Sequence, residues 1–393
     1  MSRTSKSWAG AFLAAAVVGS LTATVIPSQA ASQAASGGHR HTVSSTPQVL
    51  ATGLHNPRAV RIQADGSLLV AEAGSGPETP CTEPNSHCLG FSGSVFRIKG
   101  YKKDRVVTGL PSEMEVRPDG ESTIMGVTMA QNAGHGTYRV ASNLSGNTDL
   151  RTALGPGSAP LGTLSIAKGR ILGDLAQHEA LHDPDSVTGN GQVFSNPWYF
   201  ARDGRDYLVV DTGANDLIRV HPDGTTETEA VFPNNTLPAR PATRSSAAKS
   251  SPVRPMTPPG QTQAVPTGIV RGRDGAFYIS DLSSMQPGLS RIWRFVPGGK
   301  PTVFATGLTN TIDLRVAPDG DLIALSYATG YSSTGLLPGG LTRIDRHTGA
   351  TTPIDTAGRL FQPTGLDVAA NGDLYVTNHT VGVNGELLKF PAS

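Results

Sequence analysis

Cysteine is nearly absent, with two in 393 residues, so neither a disulfide-dense scaffold nor a cysteine-rich zinc fold is available. The two, Cys81 and Cys88, share the stretch PCTEPNSHC. With only His87 beside them they fall short of four metal ligands, and a disulfide pinning one loop is expected. An excess of charge of one sign is lacking too. The 32 basic and 31 acidic residues leave a formal charge of +1, which argues against nucleic-acid and membrane-surface partners. Helix-forming stretches are few, so a βαβ architecture is not expected. No serine sits in a G-x-S-x-G elbow, no glycine-rich phosphate loop follows a strand, and no thiol is left over. The commonest nucleophilic and nucleotide-using classes are thereby removed.

Long apolar runs are confined to Ala9 to Val25, which follows Arg3 and Lys6 and precedes the small-x-small site Ser28-Gln29-Ala30. Residues 1–30 therefore read as a signal peptide. A membrane anchor is the alternative for that run, although it is shorter than the roughly 20 residues of a spanning helix. The protein is expected to be secreted and extracellular, monomeric, and without a membrane partner once the signal is removed. Residues 31–46, mostly Ser, Ala, Gly, Thr and His, read as a disordered leader. The domain proper is expected over 47–393, with a flexible Pro/Ser/Ala-rich loop at 234–264.

What the chain does have is turns and repeats. Its 46 glycines and 29 prolines follow no collagen period, which suits an all-β protein. The stretch QPTGLDVAANGDLYVTN, from Gln362 to Asn378, reads as strand, tight turn, strand, because Asn-Gly takes the positive φ angles that a two-residue hairpin needs. The phrase recurs at Asn56 to Glu72, Val265 to Asp281 and Thr309 to Ser326. Fixed spacing from Pro57, Pro266 and Pro363 to the turn residues Asp65, Asp274 and Asn371 marks repeated units. VLATGL (Val49 to Leu54) matches VFATGL (Val303 to Leu308), a fourth strand, yet has no first three before it; the last unit lacks a fourth. The expectation is a six-bladed β-propeller closed by an N-terminal strand that completes the C-terminal blade. Its second blade, starting at Ile124-Met125-Gly126-Val127, is the least regular. The exits of second and fourth strands share one face of such a disc, and nearly every long insertion leaves from them, so a binding site is expected on that elaborated face.

Three sets of residues could carry chemistry there. His178-Glu179-Ala180-Leu181-His182 fits H-E-x-x-H, in which His178 and His182 on one helix face would bind zinc and Glu179 would act as base. The competing reading is a short surface helix, ended by Pro184, that caps the connection between blades two and three. Second strands end on Glu72, Asn143, Asp211, Asp281 and Asn378. A ring of such groups, Glu72, Asp211 and Asp281 above all, could hold calcium or another divalent cation, or each could cap its own loop. The residues after each blade's opening position, Arg58, Met125, Trp198, Thr267, Ile312 and Thr364, should face the mouth of the central channel, with Asp313 as the acid close by. Arg58 and Trp198 could hold an anionic or aromatic ligand, or could simply fill the channel.

At its repeats the chain resembles the NHL-type and gluconolactonase-like six-bladed propellers, DTGANDLIRV (Asp211 to Val220) being close to the NHL phrase. The stretch from Asp174 to Phe200, with Glu179, Asp183-Pro184-Asp185 and Ser195-Asn196-Pro197, resembles the ScyD/ScyE family of scytonemin clusters, with Asp183 where that family has Asn. GLHNPRAV and QPTGLDVAANGDLYV extend the resemblance over nearly the whole mature chain. It implies a secreted propeller without an established reaction. Metal-dependent sugar lactonases of similar fold carry Asp in a P-D-G at a blade opening; here Pro266-Thr267-Gly268 and Pro363-Thr364-Gly365 carry Thr. Two functions are thus expected to compete. One is a non-catalytic binding or scaffold protein whose elaborated face takes a small molecule, glycan or protein, and the other is a metal-dependent hydrolase or lactonase.

Overall fold

The computed structural model describes residues 43–188, 192–238 and 257–392. The signal peptide expected at 1–30, most of the leader and the centre of the 234–264 loop lie outside them. Six antiparallel sheets of at least four strands follow one another along the chain, each running from an inner strand outward. The inner strands are Pro57–Ile62, Val127–Gly134, Pro197–Asp203, Pro266–Arg271, Thr311–Val316 and Gly365–Val368. Glycine at the third position of the openings has a packing reason. A Cβ on Gly365 would lie 2.3 Å from the Arg58 carbonyl oxygen, so only a bare Cα lets the inner strands of blades six and one converge on the axis.

The ring is closed as the repeat phase requires. Gln48–Leu54 is hydrogen-bonded along Gly385–Phe390, with Val49 opposite Leu388 and Ala51 opposite Leu387. Pairing reaches into the expected leader: Val43 bridges to Ala392 and the Ser44 N–H donates to the Pro391 carbonyl at 2.8 Å. The core lies between adjacent blades, where fully buried Leu54, Phe232, Phe277, Phe295 and Phe390 interleave. Period-2 patterning explains why: Leu68-Leu69-Val70-Ala71 and Ile323-Ala324-Leu325 are apolar on both faces because a blade is covered on both sides.

Blades one and two differ from expectation. Ile124 and Met125 do not open blade two; Ser122–Met125 is a fifth strand of blade one, with Ile124 paired to Met114. The inner strand of blade two starts at Val127. The break falls at Gly126, where a Cβ would sit 2.4 Å from the Ala73 carbonyl oxygen. Blade one's outer strands are long, His87–Lys99 and Lys102–Val116. Cys81 and Cys88 are bonded as expected, with their Cα atoms 6.0 Å apart. At the base of the 234–264 insertion, Asn235–Thr236 pairs with Gln261–Thr262.

Two perturbations test closure. Leu54→Ala removes a fully buried side chain from the closing strand and is expected to cost about 2–5 kcal/mol of unfolding free energy by urea titration. A chain beginning after Leu54 leaves the strand Gly385–Phe390 as an open edge and is expected to elute as aggregate in gel filtration.

Candidate functional site

The channel mouth is built by an alternation along the ring. In blades two, four and six the second residue of the opening is threonine, and its hydroxyl reaches the carbonyl of the next blade's opening residue. Thr128 contacts Pro197 O at 3.5 Å, Thr267 contacts Thr311 O at 3.3 Å, and Thr364 contacts Pro57 O at 3.1 Å. Blades one, three and five place Arg58, Trp198 and Ile312 at the same position. The expected row is therefore corrected at one place, with Thr128 standing where Met125 was expected, because Met125 belongs to the extra strand of blade one.

Arg58 is the unusual member. It is 7 % exposed, and its guanidinium donates to the carbonyls of Thr380 at 2.8 Å and Ile124 at 3.0 Å. Among the described residues no carboxylate pairs with it, and its buried Nε has no partner. Burial pulls its pKa below the usual arginine range, opposed by the nearby phenols of Tyr327 and Tyr199. It lies 5.9 Å from the Trp198 ring centroid, and the indole N–H of Trp198 is also without an acceptor.

Below this layer the channel is plugged by ion pairs. Asp313 lies 3.4 Å from Arg61 and 3.1 Å from Arg315, and it accepts from the Leu366 N–H at 2.9 Å. Burial pushes its carboxyl up to about 7, with Arg61 pulling it back. Arg61 in turn packs 4.7 Å from the Tyr199 ring centroid, and the Tyr199 hydroxyl donates to Thr364 O at 2.7 Å. This site does not fit the metal that lactonases of similar fold imply. The mouth row carries no carboxylate, and Asp313 spends its oxygens on two arginines and the N–H groups of Leu314 and Leu366.

The acids at second-strand ends are each bound within their own neighbourhood, and the structure does not bring Glu72, Asp211 and Asp281 together. Glu72 accepts from the His55 N–H and from Arg105. Asp211 accepts from the Ser195 hydroxyl at 2.5 Å and from the N–H groups of Asn196, Gly213 and Ala214. Asp281 is held by Ser283, Arg291 and the Trp293 indole, while burial lifts it to about 6. Asn143 accepts from the Gly126 N–H and Asn378 from the Phe361 N–H.

After a first helix, α1, at Thr148–Ala153, the H-E-x-x-H stretch forms a second, α2, at Leu175–His182, capped at its start by Asp174. Unlike an exposed capping helix, it buries His178 and Glu179. Both ring nitrogens of His178 lie against threonine hydroxyls, Thr226 at 2.9 Å and Thr228 at 2.7 Å, and burial lowers its pKa to about 4. Glu179 turns away from the histidines. Among the described residues, its ligand atoms gather instead with Asp183 and Asp185, all within 4.8 Å of one another. Burial, then Asp211 and Asp185, pushes Glu179 up to about 9. Asp216, which sequence reasoning passed over, is raised well above the carboxylate range by burial and by Asp211, Glu179 and Asp185. Its only signal in the chain was an aspartate at a position that the repeat makes inward-facing.

The molecule is thus a closed six-bladed propeller with a filled channel, a cationic aromatic mouth and an acidic pocket under the helix between blades two and three. Searched against protein-family models the chain matches none, and no curated protein matches it by sequence. Solved structures similar to it are propellers of several activities. A streptogramin B lyase is 12% identical, over 88% of this chain and 97% of that one, with a TM-score of 0.47. A putative gluconolactonase is 11% identical over 90% and 94%, TM-score 0.44. An aldose sugar dehydrogenase from Streptomyces coelicolor is 13% identical over 91% and 100%, TM-score 0.47. At these identities the likeness carries no activity across, and the fold rests on the chain's own strand order.

On the elaborated face, the His87 ring lies 2.7 Å from Glu113, whose other oxygen accepts from the Ser145 N–H at 2.9 Å. That hydrogen bond raises the His87 pKa above 6.5. A raised folded-state value means the folded chain keeps a proton that the unfolded chain releases near 6.5. The stabilisation is complete below that pH and fades as pH rises through the folded value. The urea midpoint is expected to fall as pH rises above about 6.5, and His87→Gln is expected to flatten that slope.

Proposed function

We propose that this protein is an exported, monomeric, non-catalytic propeller that binds an acceptor-rich small molecule, anionic or aromatic, at the channel mouth of its elaborated face. The observation that carries the reading is Arg58, a buried guanidinium with no carboxylate partner beside the unpartnered indole N–H of Trp198. A buried cation without a counter-charge is costly, and an anion at the mouth supplies what the fold leaves out. Aromatic walls at Trp198 and Tyr327 suit a planar ligand. Further out, the Phe361 ring stacks on His379 at 5.3 Å and remains 47 % exposed, a surface for a larger ligand such as a glycan or protein. The metal-dependent lactonase reading has less support, since no carboxylate at the mouth is free to hold a cation.

The purified chain is expected to show saturable tryptophan quenching with benzoate or a sulfated disaccharide, lost in Arg58→Gln and in Trp198→Phe. The same preparation is expected not to accelerate gluconolactone hydrolysis with or without calcium. Hydrolysis that depends on a divalent ion and disappears in Asp313→Asn would overturn the reading.

A further inference from the structure

The acidic pocket beneath α2 lies apart from the channel mouth and holds more carboxylate than the fold can satisfy. Glu179 is fully buried; its Oε1 accepts weakly from the Phe194 N–H at 3.3 Å, and its Oε2 has no partner. Asp183 caps α2 at its C-terminal end in the left-handed conformation, φ +40°, with Oδ1 buried and unpartnered. Asp185 accepts from the Asn215 side chain at 2.7 Å. Next in the chain to Asn215 stands Asp216, fully buried, with neither carboxylate oxygen hydrogen-bonded among the described residues. It faces Asp211 across the ladder, and Asp211 in turn holds the backbone N–H of Asn196, whose side-chain oxygen is also buried and without a donor.

The cluster therefore has a second feature beyond its charge, namely oxygens on Glu179, Asp216 and Asn196 that lack any donor. Burying charge without a partner is costly. Burial and neighbouring carboxylates raise both groups: Asp211, Asp185 and Asp183 act on Glu179, and Asp211, Glu179 and Asp185 act on Asp216. Protonation would ease the repulsion, but it would not by itself account for so many converging acceptors. The chemistry that satisfies several hard oxygens at once is a hard cation, and an all-oxygen set of carboxylates suits calcium, which takes 6–8 oxygen ligands.

We infer that the group formed by Glu179, Asp183 and Asp185, beside the buried Asp216, is a structural divalent-cation site, with calcium as its ion. It differs from a zinc site on His178 and His182, since both His178 ring nitrogens lie against threonine hydroxyls, and from a ring of strand-end acids, which are separately bound. An ion there ties α2 to the 184–188 turn, which Asn215 holds against blade three through Asp185. The inference does not rest on ligand binding at Arg58, and either can fail without the other.

The test uses the purified chain stripped with EDTA and titrated with calcium chloride by calorimetry and by thermal melting. One calcium ion per chain and a raised melting temperature are expected. The neutral, same-shaped double variant Glu179→Gln/Asp216→Asn removes two negative charges. It is expected to melt higher than the stripped wild-type chain and to lose the calcium-dependent shift altogether. Absence of stoichiometric calcium binding by the wild-type chain overturns the inference whatever the variant does, as does a calcium shift that survives in the double variant. Should that variant fail to fold, Asp216→Asn alone is read by the same two measurements.

Discussion

The pairing of Gln48–Leu54 with Gly385–Phe390 is the constraint on which the molecule depends. A row of six sheets would otherwise expose two open edges, and unpaired strand edges recruit other chains. By making the last blade from both ends of the polypeptide, the fold turns a linear array into a ring in which every blade is covered on both sides. Val43 and Ala392 extend the same junction by one more bridge. Closure also decides direction: with all strands antiparallel within blades, the second and fourth exits open on one face, and the long connections collect there.

The axis is the second organising feature. Six inner strands converge where glycine at Gly268 and Gly365 permits close approach, and the three threonines of the even blades tie each to its neighbour. Odd blades then supply the large side chains that close the mouth. Arg61, Asp313, Arg315 and Asp367 fill the space below as a buried ionic layer. Such a layer contributes little net stability after desolvation, and it links the inner strands of blades one, five and six. Among the described residues Arg58 at the mouth has no acid among its partners, while Glu179 and Asp216 beneath α2 keep oxygens without a donor.

These two places show opposite kinds of incompleteness. Elsewhere the buried polar groups at blade ends are closed by caps: Glu72 by Arg105, Asp281 by Arg291 and Trp293, Asp211 by four donors. Local geometry is enough there because the donors come from the same blade. Under α2 the acids come from three separate segments, the helix, the turn after it and blade three, and two of them, Glu179 and Asp216, keep oxygens without a donor among the described residues.

How much of this was legible beforehand follows from the range of the interactions. Repeat phase, the Asn-Gly and Asp-Gly turns, the missing fourth strand and its stray counterpart are patterns along the chain, and they were sufficient for six blades, the closing pair and the disulfide between Cys81 and Cys88. The start of blade two was misplaced because Ile124-Met125 has the apolar character of an inner strand, and only pairing with Met114 shows that it is an added edge. Residue types at strand ends could be named in advance, but not their partners. Whether Glu179 faces His182 or Asp185, and whether Asp216 meets a cation or other acids, depends on how a helix between two blades is seated on the third. That seating is set by long-range packing, which the order of residues specifies only through the folded whole.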